Sequence, residues 1–206
     1  MRFLGFRRKG SDYRNSVKIG VAGACNGAGT THLCIMLANY YANVMGLETV
    51  VMEYNDHRDF LKICMETGKI REDYRKFVYR NITFVTGKDM KNTQKETEIM
   101  DRARVVILDC GCMGGESEGL FSQSDIRVGV LSGSLYRIAC ARRIIEKTKG
   151  HCMYMAAFGS SKVVQELSRE TGVRVGRIPY EDDPFCITPG TAAWIDEVFG
   201  GKKLHL

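Results

Sequence analysis

Short apolar runs alternate along this chain with longer stretches in which apolar residues recur every three to four positions. The first pattern is typical of strands buried on both faces, and the second of helices with one buried face. The predicted strands are 17–22, 47–52, 82–86, 104–108, 124–131, 152–158 and 173–178. The predicted helices are 30–44, 58–68, 132–145, 161–171 and 189–199. This alternation predicts an α/β fold in three layers, with a doubly wound, mostly parallel sheet and helices on both faces.

Three segments give weaker patterns. Residues 69–80 are too mixed to assign, and residues 88–103 are polar, which favours an exposed helix or loop. The glycines that follow the strand 104–108 predict a mobile loop, as a nucleotide-sensing switch would need: Gly111, Gly114 and Gly115. The last strand is predicted to lead into a loop that begins at Pro179.

The first strand runs into a glycine-rich turn and then a helix. Gly23, Gly27 and Gly29 lack a Cβ atom where the backbone must turn tightly, and Thr30 and Thr31 open the helix. The apolar stripe predicted for this helix is Leu33, Met36, Leu37, Tyr40, Tyr41 and Val44. Such a loop directs several N–H groups and the positive end of the helix dipole at one point, which favours a phosphate group.

The loop matches the P-loop pattern G-x-x-x-x-G-K-[ST] only in part. Gly29 and Thr31 stand at the second glycine and at the Ser/Thr position, whereas Ala24 replaces the first glycine and Thr30 replaces the lysine. Loss of the lysine removes a charge-assisted contact of about 2 kcal/mol, or about tenfold or more in affinity. The amides and the Thr31 hydroxyl, a candidate Mg²⁺ ligand, remain. The competing interpretation is a tight β–α turn that binds nothing.

Two acidic residues follow predicted strands, where open α/β sheets place ligand-binding groups. Asp109 follows four apolar residues, which is the Walker B pattern of an aspartate near the bound metal. Glu53 ends the second strand, where a carboxylate can hold Mg²⁺ through water or position a water near the γ-phosphate. The alternatives are a capping or turn aspartate at 109 and a solvated glutamate at 53.

Composition and charge indicate an ordinary soluble domain. The 206 residues are 44% hydrophobic and 26% charged, which predicts a single domain over 17–206. The net charge is +6, but residues 1–16 hold +4 of it, so a nucleic-acid partner is not expected. This basic tail also contains Phe3, Leu4 and Phe6, so it is either a frayed terminus or a contact to an anionic membrane or partner protein.

The cysteines indicate a reducing compartment. Eight are present, no two form a C-x-x-C pair, and no secretory signal precedes them. We therefore expect a cytoplasmic protein, with attachment to the inner face of the cell membrane as the alternative that the basic tail leaves open.

The order of these features resembles the MinD/ParA group of deviant P-loop ATPases over most of residues 17–199. The loop is similar to that of the TadZ/CpaE branch, pilus-assembly localisation factors in which the P-loop lysine is often replaced. The resemblance implies a P-loop NTPase fold, binding of ATP or ADP with Mg²⁺, a face-to-face homodimer, and contact with a membrane or with secretion or pilus machinery. The segments that carry it are Ala24–His32, Glu53, Asp109 and Ile178–Tyr180.

The resemblance also implies roles for individual residues. Thr31 and Asp109 would serve Mg²⁺, Glu53 would replace the usual aspartate, and Glu53 and Asp109 would be the catalytic pair. The segment Pro179–Tyr180 would lie beside the adenine base. The residues implied to contact the nucleotide are Asn26, Gly27, Ala28, Gly29, Thr30, Thr31, His32, Pro179 and Tyr180.

Two departures bear on catalysis. Cys25 stands where the family has the lysine that reaches across the dimer, and Thr30 stands where the second lysine is expected. Without both charges the transferring phosphoryl group is poorly stabilised, so ATPase activity is expected to be weak or absent. The leading hypothesis is a nucleotide-controlled localisation or assembly factor. The alternatives are a pseudo-ATPase scaffold that binds no nucleotide and, more weakly, a small-molecule kinase or synthetase.

Overall fold

The computed structural model of the protein describes residues 16–68, 76–87, 93–114 and 117–200. The strands are β1 (Val17–Gly23), β2 (Thr49–Glu53), β3 (Lys76–Tyr79), β4 (Ile82–Val85), β5 (Val105–Cys112), β6 (Ile126–Ser132), β7 (Met153–Ala157) and β8 (Val175–Arg177). The α-helices are α1 (Thr30–Asn39), α2 (Asp59–Glu66), α3 (Thr93–Arg102), α4 (Ser117–Ser122), α5 (Ile138–Thr148), α6 (Ser161–Thr171) and α7 (Pro189–Ile195). Of the predicted basic tail, residues 1–16, only Ser16 lies within the described residues.

One eight-stranded sheet forms the centre of the molecule, in the order β3-β4-β2-β5-β1-β6-β7-β8. Every pairing in it is parallel except β3 with β4, which is antiparallel. The strand β1 lies between β5 and β6, so the loop that leaves it emerges near the middle of the sheet. The predicted doubly wound, mostly parallel α/β fold is confirmed.

Both faces of the sheet are buried, because side chains of the central strands point alternately into an apolar cluster on one side and on the other. Ile19 and Val21 of β1 belong to the same apolar cluster as α1, whereas Ala22 belongs to the cluster that contains Phe121 of α4. Successive residues of a strand point to opposite faces, so these clusters lie on the two sides of the sheet. The three-layer arrangement results from this pattern.

The helix α1 is buried on nearly all sides, which the predicted single stripe did not anticipate. Its continuation, Tyr40–Val44, is a π-helical turn, and Val44 at the end of that turn is 56% exposed. A π-turn holds more residues than an α-turn and so rotates the residues after it around the helix axis. The predicted burial of Val44 is therefore wrong.

The structure corrects three further expectations. β3 lies in the segment that gave no pattern; it is only four residues long, and Val78, although apolar, is exposed, so its sequence does not alternate with its burial. β5 continues to Cys112, so Asp109 lies inside the strand and Gly111 is not part of a loop. A short helix, α4, lies where the glycines predicted only a mobile loop, of which Gly115 lies outside the described residues.

The last two α-helices begin with side-chain N-caps. The Ser160 side chain accepts from the N–H of Val163, and the Thr188 side chain accepts from that of Thr191, ahead of Pro189 at the first helical position. Trp194 and Val198 are half-buried, whereas their helix neighbours Ile195 and Phe199 are buried. Among the described helices, none has both the length and the apolar character needed to cross a membrane.

Candidate functional site: the glycine loop and its carboxylates

The glycine loop joins β1 to α1 and requires glycine at its last position. Gly27 and Gly29 have φ values of 71° and 97°, in the left-handed region that favours glycine, and Gly29 is the N-cap of α1. A Cβ atom on Gly29 would lie 2.8 Å from the Cβ of Ala157 and 3.0 Å from Phe158 Cε2. The end of β7 therefore fixes how closely the loop approaches the sheet.

Several backbone N–H groups at the start of α1 have no hydrogen-bond acceptor. The N–H of Ala28 donates to the carbonyl of Cys25 at 3.2 Å, which closes the turn. Within the described part of the chain, the N–H groups of Gly27, Gly29, Thr30 and Thr31 are among those of this segment that have no acceptor. Free N–H groups at a helix N-terminus form an anion site. The loop can therefore accept a phosphate group through its backbone.

Thr30 contributes its amide to the loop rather than its hydroxyl. The residue is 7% exposed, and a Cβ atom on Gly23 would lie 2.5 Å from Thr30 Oγ1. The side chain is thus buried against the end of β1. The position at which a P-loop carries its lysine therefore presents no charge and no exposed polar group.

Thr31 and Asp109 are brought together at the base of the loop. Thr31 Oγ1 donates to Asp109 Oδ2 at 2.7 Å, although the two residues are 78 positions apart. Asp109 Oδ1 accepts the N–H of Gly111 at 3.0 Å, and Asp109 is fully buried. A hydroxyl and a carboxylate held side by side are the oxygen donors that Mg²⁺ prefers.

Glu53 lies next to this pair and has a free oxygen. β2 and β5 are paired so that Glu53 stands opposite Asp109. Glu53 Oε1 accepts the N–H of Asp59 at 2.7 Å, whereas its buried Oε2 has no partner among the described residues. Asp59 Oδ2 lies 3.5 Å from Thr31 Oγ1. Glu53 is thus not the solvated residue of the alternative interpretation, and its orphaned oxygen is an acceptor that a water or a cation would satisfy.

Burial disfavours ionisation of both central carboxylates. It raises the pKa of Glu53 to about 7, against the hydrogen bond from the Asp59 N–H and with the help of the Asp109 charge. Burial also raises the pKa of Asp109, although the hydrogen bonds from Thr31 and Gly111 oppose the shift. A divalent cation between them would favour the ionised forms, so the electrostatics of the pair fit a metal.

A second wall of the site is aromatic. The ring of Phe158, at φ 58°, lies edge-on to the rings of His32 at 5.8 Å and Tyr180 at 6.2 Å. Phe158 and Tyr180 are 57% and 63% exposed, so their faces can receive a flat ligand group. They open onto a cavity of about 270 Å³ that is lined by Phe158, Gly159, Ser160, Arg177, Ile178 and Tyr180. Of the two residues expected beside the base, Tyr180 lines this cavity, whereas Pro179 is not among its lining residues.

Arg137 reaches the loop and was not among the predicted site residues. Its Nη1 donates to the Asn26 carbonyl at 2.9 Å and to Cys25 Sγ at 3.4 Å. The residue lies 111 positions from Asn26, within a segment that the sequence pattern marks only as a helix start. No local signal in the sequence indicates this contact. The parallel pairing of β6 with β1 brings the two segments close together.

Solved structures with similar folds exist, although sequence comparison detects none of them. No family model matches the sequence, and no curated protein sequence is significantly similar to it. The MinD cell division protein of Aquifex aeolicus superimposes with a TM-score of 0.65 at 13% identity, over 88% of this chain and 94% of that one. A plasmid partition protein of Borrelia burgdorferi bound to AMPPNP gives 0.62 at 10%, over 89% and 98%. A ParA family ATPase of Chlorobium tepidum gives 0.56 at 12%, over 92% and 94%.

This chain has the MinD/ParA fold. At such low identity the likeness extends to the fold alone. The roles of individual residues must therefore be argued from the site itself.

Proposed function

We propose that this protein binds ATP with Mg²⁺ at the glycine loop, hydrolyses it slowly or not at all, and acts as a localisation or assembly factor. The observation that carries the proposal is the 2.7 Å hydrogen bond between Thr31 and Asp109 beside the uncommitted amides of the loop. The site thus offers oxygen ligands for a metal together with backbone N–H groups for a phosphate. The MinD/ParA fold and a neighbour solved with AMPPNP support it.

In this proposal Thr31 and Asp109 hold Mg²⁺, directly or through water. The metal supplies positive charge against the phosphate oxygens. Glu53, which stands opposite Asp109 with one unpartnered oxygen, completes the negative side of the site and orients a water. These two carboxylates are the proposed catalytic residues.

The loop residues bind the phosphates and the aromatic wall binds the base. The proposed phosphate contacts are made by Asn26, Gly27, Ala28, Gly29, Thr30 and Thr31. His32 packs against Phe158, which connects the phosphate end to the cavity bounded by Tyr180. Pro179 directly precedes Tyr180 in the chain and is proposed to contact the base with it. Stacking on an aromatic face accommodates any base, so the preference for adenine over other bases is not fixed by this wall.

Slow turnover is expected from the charge deficit of the loop. Phosphoryl transfer relies on cations placed where negative charge develops. Thr30 is uncharged and is turned against Gly23, and Cys25 carries no charge that could replace a lysine. We therefore expect binding that is retained through amides and metal, together with little hydrolysis.

The cellular role proposed is that of the TadZ/CpaE branch, in which a homodimer contacts a membrane or a secretion or pilus machine. The basic tail is the proposed membrane contact. Co-sedimentation with anionic vesicles is expected for the full chain and is expected to be lost on removal of residues 1–16. Equal sedimentation of both proteins would assign the localisation to another surface.

Titration calorimetry with ATP and Mg²⁺ tests nucleotide binding. We expect millimolar or tighter binding that weakens on addition of EDTA. Thr31→Ala, which removes the hydroxyl, should weaken Mg²⁺-dependent binding by about tenfold, whereas Thr31→Ser should retain it. If wild type gives no heat at millimolar ATP, the protein is the non-binding scaffold of the alternative hypothesis.

A further inference from the structure

Arg137 brings a positive charge to the rim of a loop that has lost its lysine. Its Nη1 lies 2.9 Å from the Asn26 carbonyl and 3.4 Å from Cys25 Sγ. A Cβ atom on Gly27 would lie 3.9 Å from the same nitrogen. The guanidinium group therefore stands over the residues that would face a bound phosphate.

The fold holds Arg137 in this place through a tight turn. β6 ends at Ser132, and the N–H of Gly133 donates to the Ala157 carbonyl at 3.0 Å. A Cβ atom on Gly133 would lie 2.5 Å from the backbone nitrogen of Gly159, so this crossing requires glycine. The N–H of Arg137 then donates to the Ser134 carbonyl at 2.9 Å, which closes a 3₁₀ turn. The backbone of Arg137 is thus fixed next to the loop.

The charge of Arg137 is not neutralised by its neighbours. Its acceptors at the loop are a carbonyl and a thiol, and its guanidinium carbon lies 5.4 Å from the centre of the Tyr136 ring. No carboxylate of the described residues lies within ion-pair distance of it. Arg142 on the same helical segment, by contrast, pairs with Glu170 at 3.1 Å. Arg137 therefore keeps a net positive charge at the site.

The geometry of the guanidinium group leaves room for a ligand. Both contacts with the loop use Nη1, and an arginine side chain carries five N–H donors in a planar fork. Such a fork matches two oxygens of one phosphate group. The half-exposed position of Arg137 makes it accessible from the mouth of the loop.

We propose that Arg137 is the phosphate-binding cation of this site and replaces, from another element of the fold, the lysine absent at position 30. The ligand class is a polyphosphate, such as the terminal phosphates of a nucleoside triphosphate bound with Mg²⁺. This inference rests on the proposed nucleotide binding. It adds that one of the two missing charges, that of the lysine absent at position 30, is supplied in cis, whereas the charge missing at Cys25 is not replaced.

The experiment is a calorimetric titration of the full chain with MgATP and with magnesium tripolyphosphate. Arg137→Gln keeps a polar side chain but removes the charge and ends two bonds short of the position of Nη1, whereas Arg137→Lys keeps the charge. We expect Arg137→Gln to weaken binding of both ligands by about tenfold or more and to reduce its salt dependence, and Arg137→Lys to stay within about threefold of wild type. The control, Arg142→Gln, removes a charge that is already paired and should leave binding unchanged.

The outcomes separate the two proposals. If wild type binds MgATP and Arg137→Gln binds equally well, the role of Arg137 is wrong while the proposed function stands. If both variants lose binding together with thermal stability, Arg137 only supports the loop, and the inference is overturned. If wild type binds neither ligand, the proposed function fails and the inference fails with it.

Discussion

At the base of the glycine loop, Asp109 and Glu53 are fully buried and connected by hydrogen bonds to Thr31 and Asp59. At its rim, Cys25 and Arg137 stand half-exposed and meet through single contacts. Removing one member of the buried set would leave another polar group unpaired, which is costly. A charge at the exposed rim can be lost from one element and supplied by another at little cost. The buried end and the rim therefore differ in how freely their residues can change.

The largest effect is expected from the buried end. Asp109→Asn removes the charge that would hold Mg²⁺ and should weaken Mg²⁺-dependent ATP binding by about 100-fold. Calorimetry at saturating Mg²⁺ measures the change. Asp101→Asn, at an exposed position of α3, is the matched control. Binding by Asp109→Asn at wild-type strength would mean that Asp109 is only a structural contact of Thr31.

Substitution of the two loop glycines by alanine should lower the stability of the protein by different amounts. Gly29→Ala combines a left-handed backbone with a 2.8 Å approach to Ala157, so we expect a loss of about 3 kcal/mol in the free energy of unfolding. Gly27→Ala meets only the strain of φ 71°, and about 1 kcal/mol is expected. Urea unfolding measures both. Equal losses would show that the close packing at β7 is not what holds the loop.

The pH dependence of stability probes Glu53. Its pKa is raised by burial to about 7 in the folded protein, above its value of 4.5 in a free chain. The folded state therefore binds the proton more tightly, and stability is lost as the pH rises from about 4.5 through about 7. Glu53→Gln imitates the protonated form, so it should be more stable than wild type by about 2 kcal/mol at pH 8 and nearly equal at pH 4.5.

Magnesium provides the control for this measurement. If the cation binds beside Glu53, millimolar Mg²⁺ should stabilise wild type at pH 8 and narrow the difference from Glu53→Gln. Thermal unfolding in Mg²⁺ or EDTA measures it. A difference that is the same at both pH values would show that ionisation of Glu53 does not limit stability.

The buried end of the site could be predicted from the sequence because its signals are local. Apolar runs end in Glu53 and Asp109, and the glycine loop leads directly into α1. In a parallel sheet such ends meet at one edge, so strand periodicity alone is enough to bring them together. Correct assignment of the strands was therefore enough to predict that these residues lie close together, even though β5 continues beyond its predicted end at residue 108 to Cys112.

The rim could not be predicted because its contact depends on geometry between distant elements. Arg137 comes after β6 in an ordinary helix start, and only the turn at Gly133 aims it at the loop. The π-helical turn after α1 and the edge strand β3 were missed for a related reason. The residues of both elements follow no regular apolar period, so their structure depends on packing and exposure that the sequence pattern does not reveal.

The smallest effect is expected from Thr30→Lys, which tests most directly whether the rim supplies the charge that the loop lacks. Thr30→Lys restores the lysine of the P-loop pattern, so a preserved amide cradle predicts tighter ATP binding, whereas a collapsed loop predicts no change. If Arg137 already supplies the charge, the gain should be about threefold in wild type and about tenfold in the Arg137→Gln background. Thr30→Met, of similar length but uncharged, controls for the displacement of Thr30 from Gly23. Equal gains in both backgrounds, measured by calorimetry, would mean that the two cations act independently and that Arg137 does not occupy the lysine's role.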